Sequence, residues 1–416
     1  MYQLYGDGIH DDTKAIQELI DNSGNELRLD APNVCYLISA PLELPSNFSL
    51  VLPRFAEVKL AKGSDCVMLK NKTCENIVKR KNRGVFDYVN IFDPDYYAEN
   101  IEVRGGIWNY NNREQKENPF LEQLPNGKWH WHPNNRIQAR NDPSDEVFEK
   151  MSYTGYIFLF YNAKNLRLSS MTLKDPASFA VTLDGVSYFT VDNIIFDFNY
   201  GNPLACNMDG IHLNGNCHYG LIENLKGACY DDLVALNADE GLGGPITNIT
   251  VRGIYAEDCH SAVRLLSTDY PVKDIHISDV FGTYFQYCIG ITRYYEPVNK
   301  GIFDNITLEN IHVSKAERYD VYFHKNDWVY SLIHFDSDII VKNIRISNLH
   351  RREYINTIPT FYIEKDAEIR TLILENITTE NCKDDNPMPL MVNNGIIKKL
   401  YAKAIYVNGE EYELKI

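Results

Sequence analysis

The chain reads as an all-β protein: a single-stranded, right-handed parallel β-helix, a solenoid of stacked coils, with one short capping helix at its start. Three observations predict this. Short apolar–polar–apolar strands recur about every 23–30 residues, and self-similarity at such a period marks stacked repeats. A polar turn residue opens many of them: Asn100, Asn165, Asn248, Asp274, Asn305, Asn343 and Asn376 each precede an Ile- or Leu-led strand. A second strand aligns from coil to coil through its apolar positions, Ile211 and Leu213 with Val234 and Leu236, then Val263 and Leu265, then Ile289 and Ile291. Alternation turns these inward and turns His212, Ala235, Arg264 and Gly290 outward, in a row across the strands. A β-propeller would need hairpins and a longer, four-stranded unit.

The elements follow in order. Residues 11–23 predict an amphipathic helix, with Asp12 or Thr13 as its cap, Ala15, Ile16, Leu19 and Ile20 as its apolar stripe, and Gly24 as its stop. Short alternating strands then begin at Leu27, Tyr36, Leu42, Leu50 and Val58, separated by Pro, Gly, Asn and Ser. Turn asparagines suit a left-handed backbone and can stack on their counterparts in the next coil. Asn248, Asn305 and Asn376 also match the Asn-x-Thr glycosylation pattern, but each starts a strand, so the structural reading is preferred. Residues 109–155 break the rhythm with Trp129, Trp131, Pro, Asn and many charges. A loop of that length is functional or disordered, and its aromatics favour an insertion over a cleft. We therefore expect one domain over residues 1–416, with a cap region at 1–40, the insertion at 109–155 and a second cap at 382–416, where the coil pattern is lost.

Composition narrows the function. A net charge of -16 argues against nucleic acid and anionic membranes as partners. No apolar run approaches the roughly 18 residues of a membrane span. The 9 cysteines lack the spacing of a disulfide framework or a zinc site, and Cys229, Cys259 and Cys288 fall about one coil apart, as buried sulfur would. No leader pattern opens the chain, which fits a cytoplasmic protein or a secreted one whose leader has been removed.

The chemistry concentrates in Asn207-Met-Asp209-Gly and, about one coil later, Tyr230-Asp231-Asp232. Stacking brings three carboxyl groups to one patch. Close carboxylates repel, so one holds a proton while another stays charged. That is the equipment for cleaving a glycosidic bond.

These two motifs, with the Gly-Gly turn after Arg104 and the segment Leu173–Phe179, resemble the polygalacturonases and related β-helical glycoside hydrolases of the pectinase family. The opening Tyr5–Gly8 and Asp11–Gln17 resembles many β-helical glycan-active proteins, phage tailspikes included. The resemblance implies an inverting hydrolase without cofactor or metal, acting on a pectin-like or related carbohydrate. It implies that Asp231 is the general acid, that Asp209 and Asp232 hold and activate water, and that Asn207 orients Asp209 or a sugar hydroxyl. Departures are visible. His260 lacks its flanking glycines, and the Arg-Ile-Lys that grips a uronate in the family is missing as such. Arg264 and Arg293 are the nearest candidates for that grip, and His212 stands where many members have an acid. Trp129 and Trp131 are candidate sugar-stacking residues. The bland readings are a plain turn for Asp231-Asp232, a satisfied structural histidine for His260, a surface salt bridge for Arg264 and loop packing for Trp129 and Trp131. Two other functions share the fold: a uronate lyase or epimerase helped by Ca²⁺ or a base, and a non-catalytic glycan-binding module.

Overall fold

The computed structural model describes residues 3–74, 97–131, 154–241, 243–293, 299–317, 330–383 and 387–414. Among them the strands form one sheet of 17 strands and another of 11, and all but the last added strand of the large sheet pair in parallel. The chain alternates between the two sheets coil by coil, which is the parallel β-helix.

Its core is built of in-register columns. Val103, Leu168, Val191, Ile222, Val251, Ile277, Leu308, Ile346 and Leu374 lie one above another in the larger sheet, all fully buried. Ile211, Val234, Val263, Ile289, Ile333 and Phe361 do the same in the smaller sheet. Each such side chain contributes about 1.5–3 kcal/mol of burial. The apolar alignment expected from residue 211 to 291 is thus the observed register.

The turn asparagines behave as their chemistry requires. Asn100, Asn165, Asn248, Asp274, Asn305 and Asn376 all have positive φ. Their amides form rungs between coils: Asn100 Nδ2 donates to Asn47 Oδ1 at 2.6 Å, Asn165 to Asn100 at 2.7 Å, Asn305 to Asp274 at 2.7 Å and Asn376 to Asn348 at 2.8 Å. Asn343 departs from this. Its φ is not positive, although Asn348 five residues on keeps a left-handed backbone as Asn310 does in the coil before, and Asn343 donates to Asp304.

The N-terminal helix spans Thr13–Asn22 and buries Ala15, Ile16 and Ile20. Contrary to expectation it has no side-chain cap. The Asp12 carboxylate accepts the Tyr5 and Gly6 backbone N–H groups, tying down the entering chain rather than the helix end. At the other end the coils outrun expectation. Met391–Asn393 continues the smaller sheet and Leu400–Val407 the larger, both in parallel, before Glu410–Glu411 folds back. The pattern there was illegible because Leu400–Val407 buries only Ile405, so apolar alternation is lost. Of the 109–155 stretch, a hairpin pairs Leu121–Gln123 with Trp129–Trp131. Residues 132–153 and the Trp131 side chain lie outside the described residues.

Candidate active site

Register brings the two acidic motifs together. Ile211 pairs with Val234, so Asp209 lies opposite Asp232, and the Gly210 N–H donates to the Asp232 carbonyl at 3.0 Å. On the next coil Asp232 pairs with Ser261, which puts His260 beside Asp231. The turn needs its small residue: a Cβ on Gly210 would sit 2.5 Å from the Leu233 carbonyl oxygen. Asn207 enters the turn with φ 52°, a backbone that asparagine tolerates. Asp209 and Asp232 are fully buried, while Asp231 is 8% exposed and the most accessible of the three.

Each buried carboxyl group has its own partners. His212 Nδ1 is 2.6 Å from Asp209 Oδ2, and His212 Nε2 is 2.8 Å from Glu240 Oε2. His212 also stacks on Phe179 at 3.9 Å, and Phe179 stacks in turn on Tyr156 and Phe120. Arg264 Nε lies 2.9 Å from Asp232 Oδ2, and the Tyr287 hydroxyl donates to Asp232 Oδ1 at 3.3 Å. Asp231 Oδ1 is 3.6 Å from His260 Nδ1, which also contacts the Ser261 hydroxyl at 2.9 Å. Asp209 Oδ1 is buried and has no hydrogen-bond partner among the described residues.

These surroundings split the ionisation. Burial, then the Asp209 and Asp232 charges, push the Asp231 carboxyl far above the usual carboxylate range, so it carries a proton near neutrality. Burial also raises Asp232, to about 6, with the Arg264 guanidinium opposing the rise. Burial works against the His212 cation, but its contacts with Asp209 and Glu240 prevail and raise it to about 9. A proton donor and charged acceptors therefore meet in one patch. The ligand atoms of Asp231, Asp232 and His260 also lie within 4.8 Å of one another, a spacing that suits a divalent cation.

Among the sequence-selected residues, Asp209, Asp231, Asp232, Asn207, His260 and Arg264 gather here. His212 does too, but not as an outward sugar contact: it points away from the coil interior and is nevertheless wholly covered, clamped between two carboxyl groups. Arg264 takes its salt-bridge reading. Arg293 is held apart, its N–H on Asp336 and its guanidinium on Asp338 at 3.2 Å. Trp129 packs with Leu121, Cys206, Tyr230 and Phe285, and Phe285 meets the His260 ring edge-on at 4.6 Å, so an aromatic rim borders Asp231. Sequence reading missed Glu240, which lies in the connection after Asp232–Asn237, outside the strand alternation. It also missed Tyr287, whose ring covers Gly290: a Cβ there would lie 2.5 Å from Tyr287 Cζ. A glycine in the outward row was the available signal that something bulky lies over it. Cys229 and Cys259 do pack as buried thiols, with sulfurs 3.6 Å apart.

No protein-family model matches the chain, and no curated protein matches it in sequence. Solved structures do. The exopolygalacturonase of Thermotoga maritima is similar at a TM-score of 0.57 and 15% identity, over 98% of this chain and 90% of that one. The endo-xylogalacturonan hydrolase of Aspergillus tubingensis is similar at a TM-score of 0.52 and 15% identity, over 94% and 98%. The tailspike protein of E. coli bacteriophage HK620, solved with a hexasaccharide, reaches a TM-score of 0.62 at 12% identity, over 98% of this chain but 64% of its own length. At such identities these likenesses show the fold alone: a parallel β-helix.

Proposed function

We propose that the chain is an inverting glycoside hydrolase, acting on a pectin-like or related oligo- or polysaccharide. The observation that carries this reading is the split ionisation of neighbouring coils. Asp231, protonated and the least buried, donates to the leaving glycosidic oxygen. Asp209, in contact with His212, and Asp232, in contact with Arg264, take the proton from water on the other side of the anomeric carbon. The unpartnered Asp209 Oδ1 supplies a lone pair for that water. Protonation of the leaving group and deprotonation of the nucleophile then occur together, and the anomeric configuration inverts. Asn207 and His260 flank the pair and position donor and sugar.

Incubation with a panel of glycans, followed by NMR of the fresh anomer, tests the proposal. A product of inverted configuration supports it; retention, or no cleavage of any glycan, refutes it. A second reading, a uronate lyase or epimerase, draws on the close spacing of Asp231, Asp232 and His260. It predicts an unsaturated, ultraviolet-absorbing product for a lyase and loss of activity with a chelator, whereas the hydrolase keeps its activity under EDTA. A glycan-binding module would bind without turnover.

A further inference from the structure

The charges along the outward row bear on which sugar fits. In register this row runs Thr182, His212, Ala235, Arg264, Gly290, His334 and Tyr362. Each described basic side chain on it already lies beside a carboxyl group. His212 is shared by Asp209 and Glu240, and Arg264 contacts Asp232. His334 lies 3.2 Å from Asp336 and 3.7 Å from Glu364. Arg293, beyond the strand end, is engaged by Asp338 and by the Asn299 carbonyl. A further carboxyl group, Asp184, is held at 3.2 Å by Asn214, whose own oxygen faces His212.

A uronate placed here would bring one more negative charge into a patch where, among the described residues, Asp184, Asp209, Asp231, Asp232 and Glu240 face His212 and Arg264. It would also have to draw Arg264 away from Asp232, the group that needs that cation to stay charged. On the Asp231 side the rim is apolar and aromatic: Trp129, Tyr230 and Phe285 cluster there, with Tyr200 tilted against Tyr230 at 5.4 Å. Aromatic faces suit the C–H face of an uncharged pyranose. We infer that the sugar bound at the cleavage position is neutral, and that a uronic acid there is rejected. This deepens the hydrolase reading and rests on it for the location of the site.

The test is binding, so that it survives failure of the chemistry. Asp231→Asn protein is presented with an array of neutral and uronic oligosaccharides, and then, by calorimetry, with pairs that differ only by reduction of the uronate carboxyl to a hydroxymethyl group. The expected result is preference for the neutral member by at least about tenfold, unaffected by added salt. Equal or tighter binding of a uronate, weakened by salt or by Arg264→Ala, overturns the inference, as does binding of no glycan at all. The two proposals separate cleanly. Cleavage of a uronate by the unaltered protein sinks this one and leaves the hydrolase standing. Tight binding of a neutral glycan without cleavage does the reverse.

Discussion

His212 Nδ1 approaches Asp209 Oδ2 to 2.6 Å while its other nitrogen meets Glu240, and all three groups are closed off from solvent. A buried ion pair of this kind repays its desolvation only while every member stays in place. Replacing His212 by Ala leaves two carboxyl groups covered and uncompensated. It should cost about 3–5 kcal/mol in chemical denaturation. His212→Gln keeps donors in reach of both neighbours and should recover part of the stability. Equal midpoints for the Ala variant and the unaltered protein at pH 7 would contradict the bridge.

The same residue gives a pH signature. Its folded value, about 9, is above its unfolded value near 6.5. Its contribution is therefore complete below pH 6.5 and disappears as pH rises through about 9. Asp232 runs in the same sense, since its folded value of about 6 exceeds the unfolded 3.8, so its protonation favours the fold below that range and the benefit fades by about pH 6. Unfolding midpoints should fall stepwise with rising pH. The gap between the unaltered protein and His212→Gln should close above pH 9, and a gap that persists there assigns the effect elsewhere.

The three aspartates should respond differently to amidation. Asp231→Asn removes a carboxyl that is already protonated, so the fold should keep its stability while turnover falls about 10²–10⁴-fold. Asp209→Asn and Asp232→Asn should also abolish turnover. Asp209→Asn leaves His212 with Glu240 as its carboxylate, and Asp232→Asn takes the carboxylate from Arg264, so each should lower the melting temperature as well. On the proposed hydrolase reading, the acid limb of the unaltered protein's pH–rate profile should lie near 6, where Asp232 takes up its proton, with the neighbouring carboxyl groups titrating together. Full turnover by any one of the three amides excludes that residue from the reaction.

Arg264→Ala should destabilise by about 3–5 kcal/mol, because Asp232 then sits covered without its cation. In the fraction that folds, the acid limb should move to higher pH. Arg264→Lys keeps the charge and should restore the limb more than the stability. An unmoved limb in the Ala variant would show that Arg264 does not hold Asp232 charged.

Gly290→Ala tests the roof over the site. The new methyl collides with the Tyr287 ring and should displace its hydroxyl from Asp232, at about 1–3 kcal/mol of overpacking. Tyr287→Phe removes only the donor and should lower kcat with little change in melting temperature. If both variants keep full kcat, the Tyr287 contact is incidental.

What the sequence disclosed and what it hid divide along physical lines. Coil register was legible because alternation and left-handed asparagine are local properties, readable residue by residue. Asp209, Asp231 and Asp232 were legible because they recur at matching points of consecutive coils. Glu240 and Tyr287 were not: Glu240 lies in the connection after Asp232–Asn237, outside the strand alternation, and Tyr287, though it stands at the register position of Asp232 and Ser261, carries no carboxyl group to mark it. Burial misled the reading of His212: alternation sets which way a side chain leaves the strand, but only the overlying Phe179 and Glu240 decide whether water reaches it. Asn343 shows the same limit at a turn: it stands in register with Asn305, whose φ is positive, yet does not adopt that backbone itself.

The amide rungs all face one way. Asn100 gives to Asn47, Asn165 to Asn100, Asn224 to Asp192, Asn305 to Asp274 and Asn376 to Asn348, always from a later coil to an earlier one. The molecule thus carries a molecular arrow along its axis, and any extra turn spliced between two rungs continues the relay if it brings its own asparagine. Overall length can then drift through gain or loss of entire windings, while the spacing between Asp209 and Asp232, fixed by a single junction, cannot.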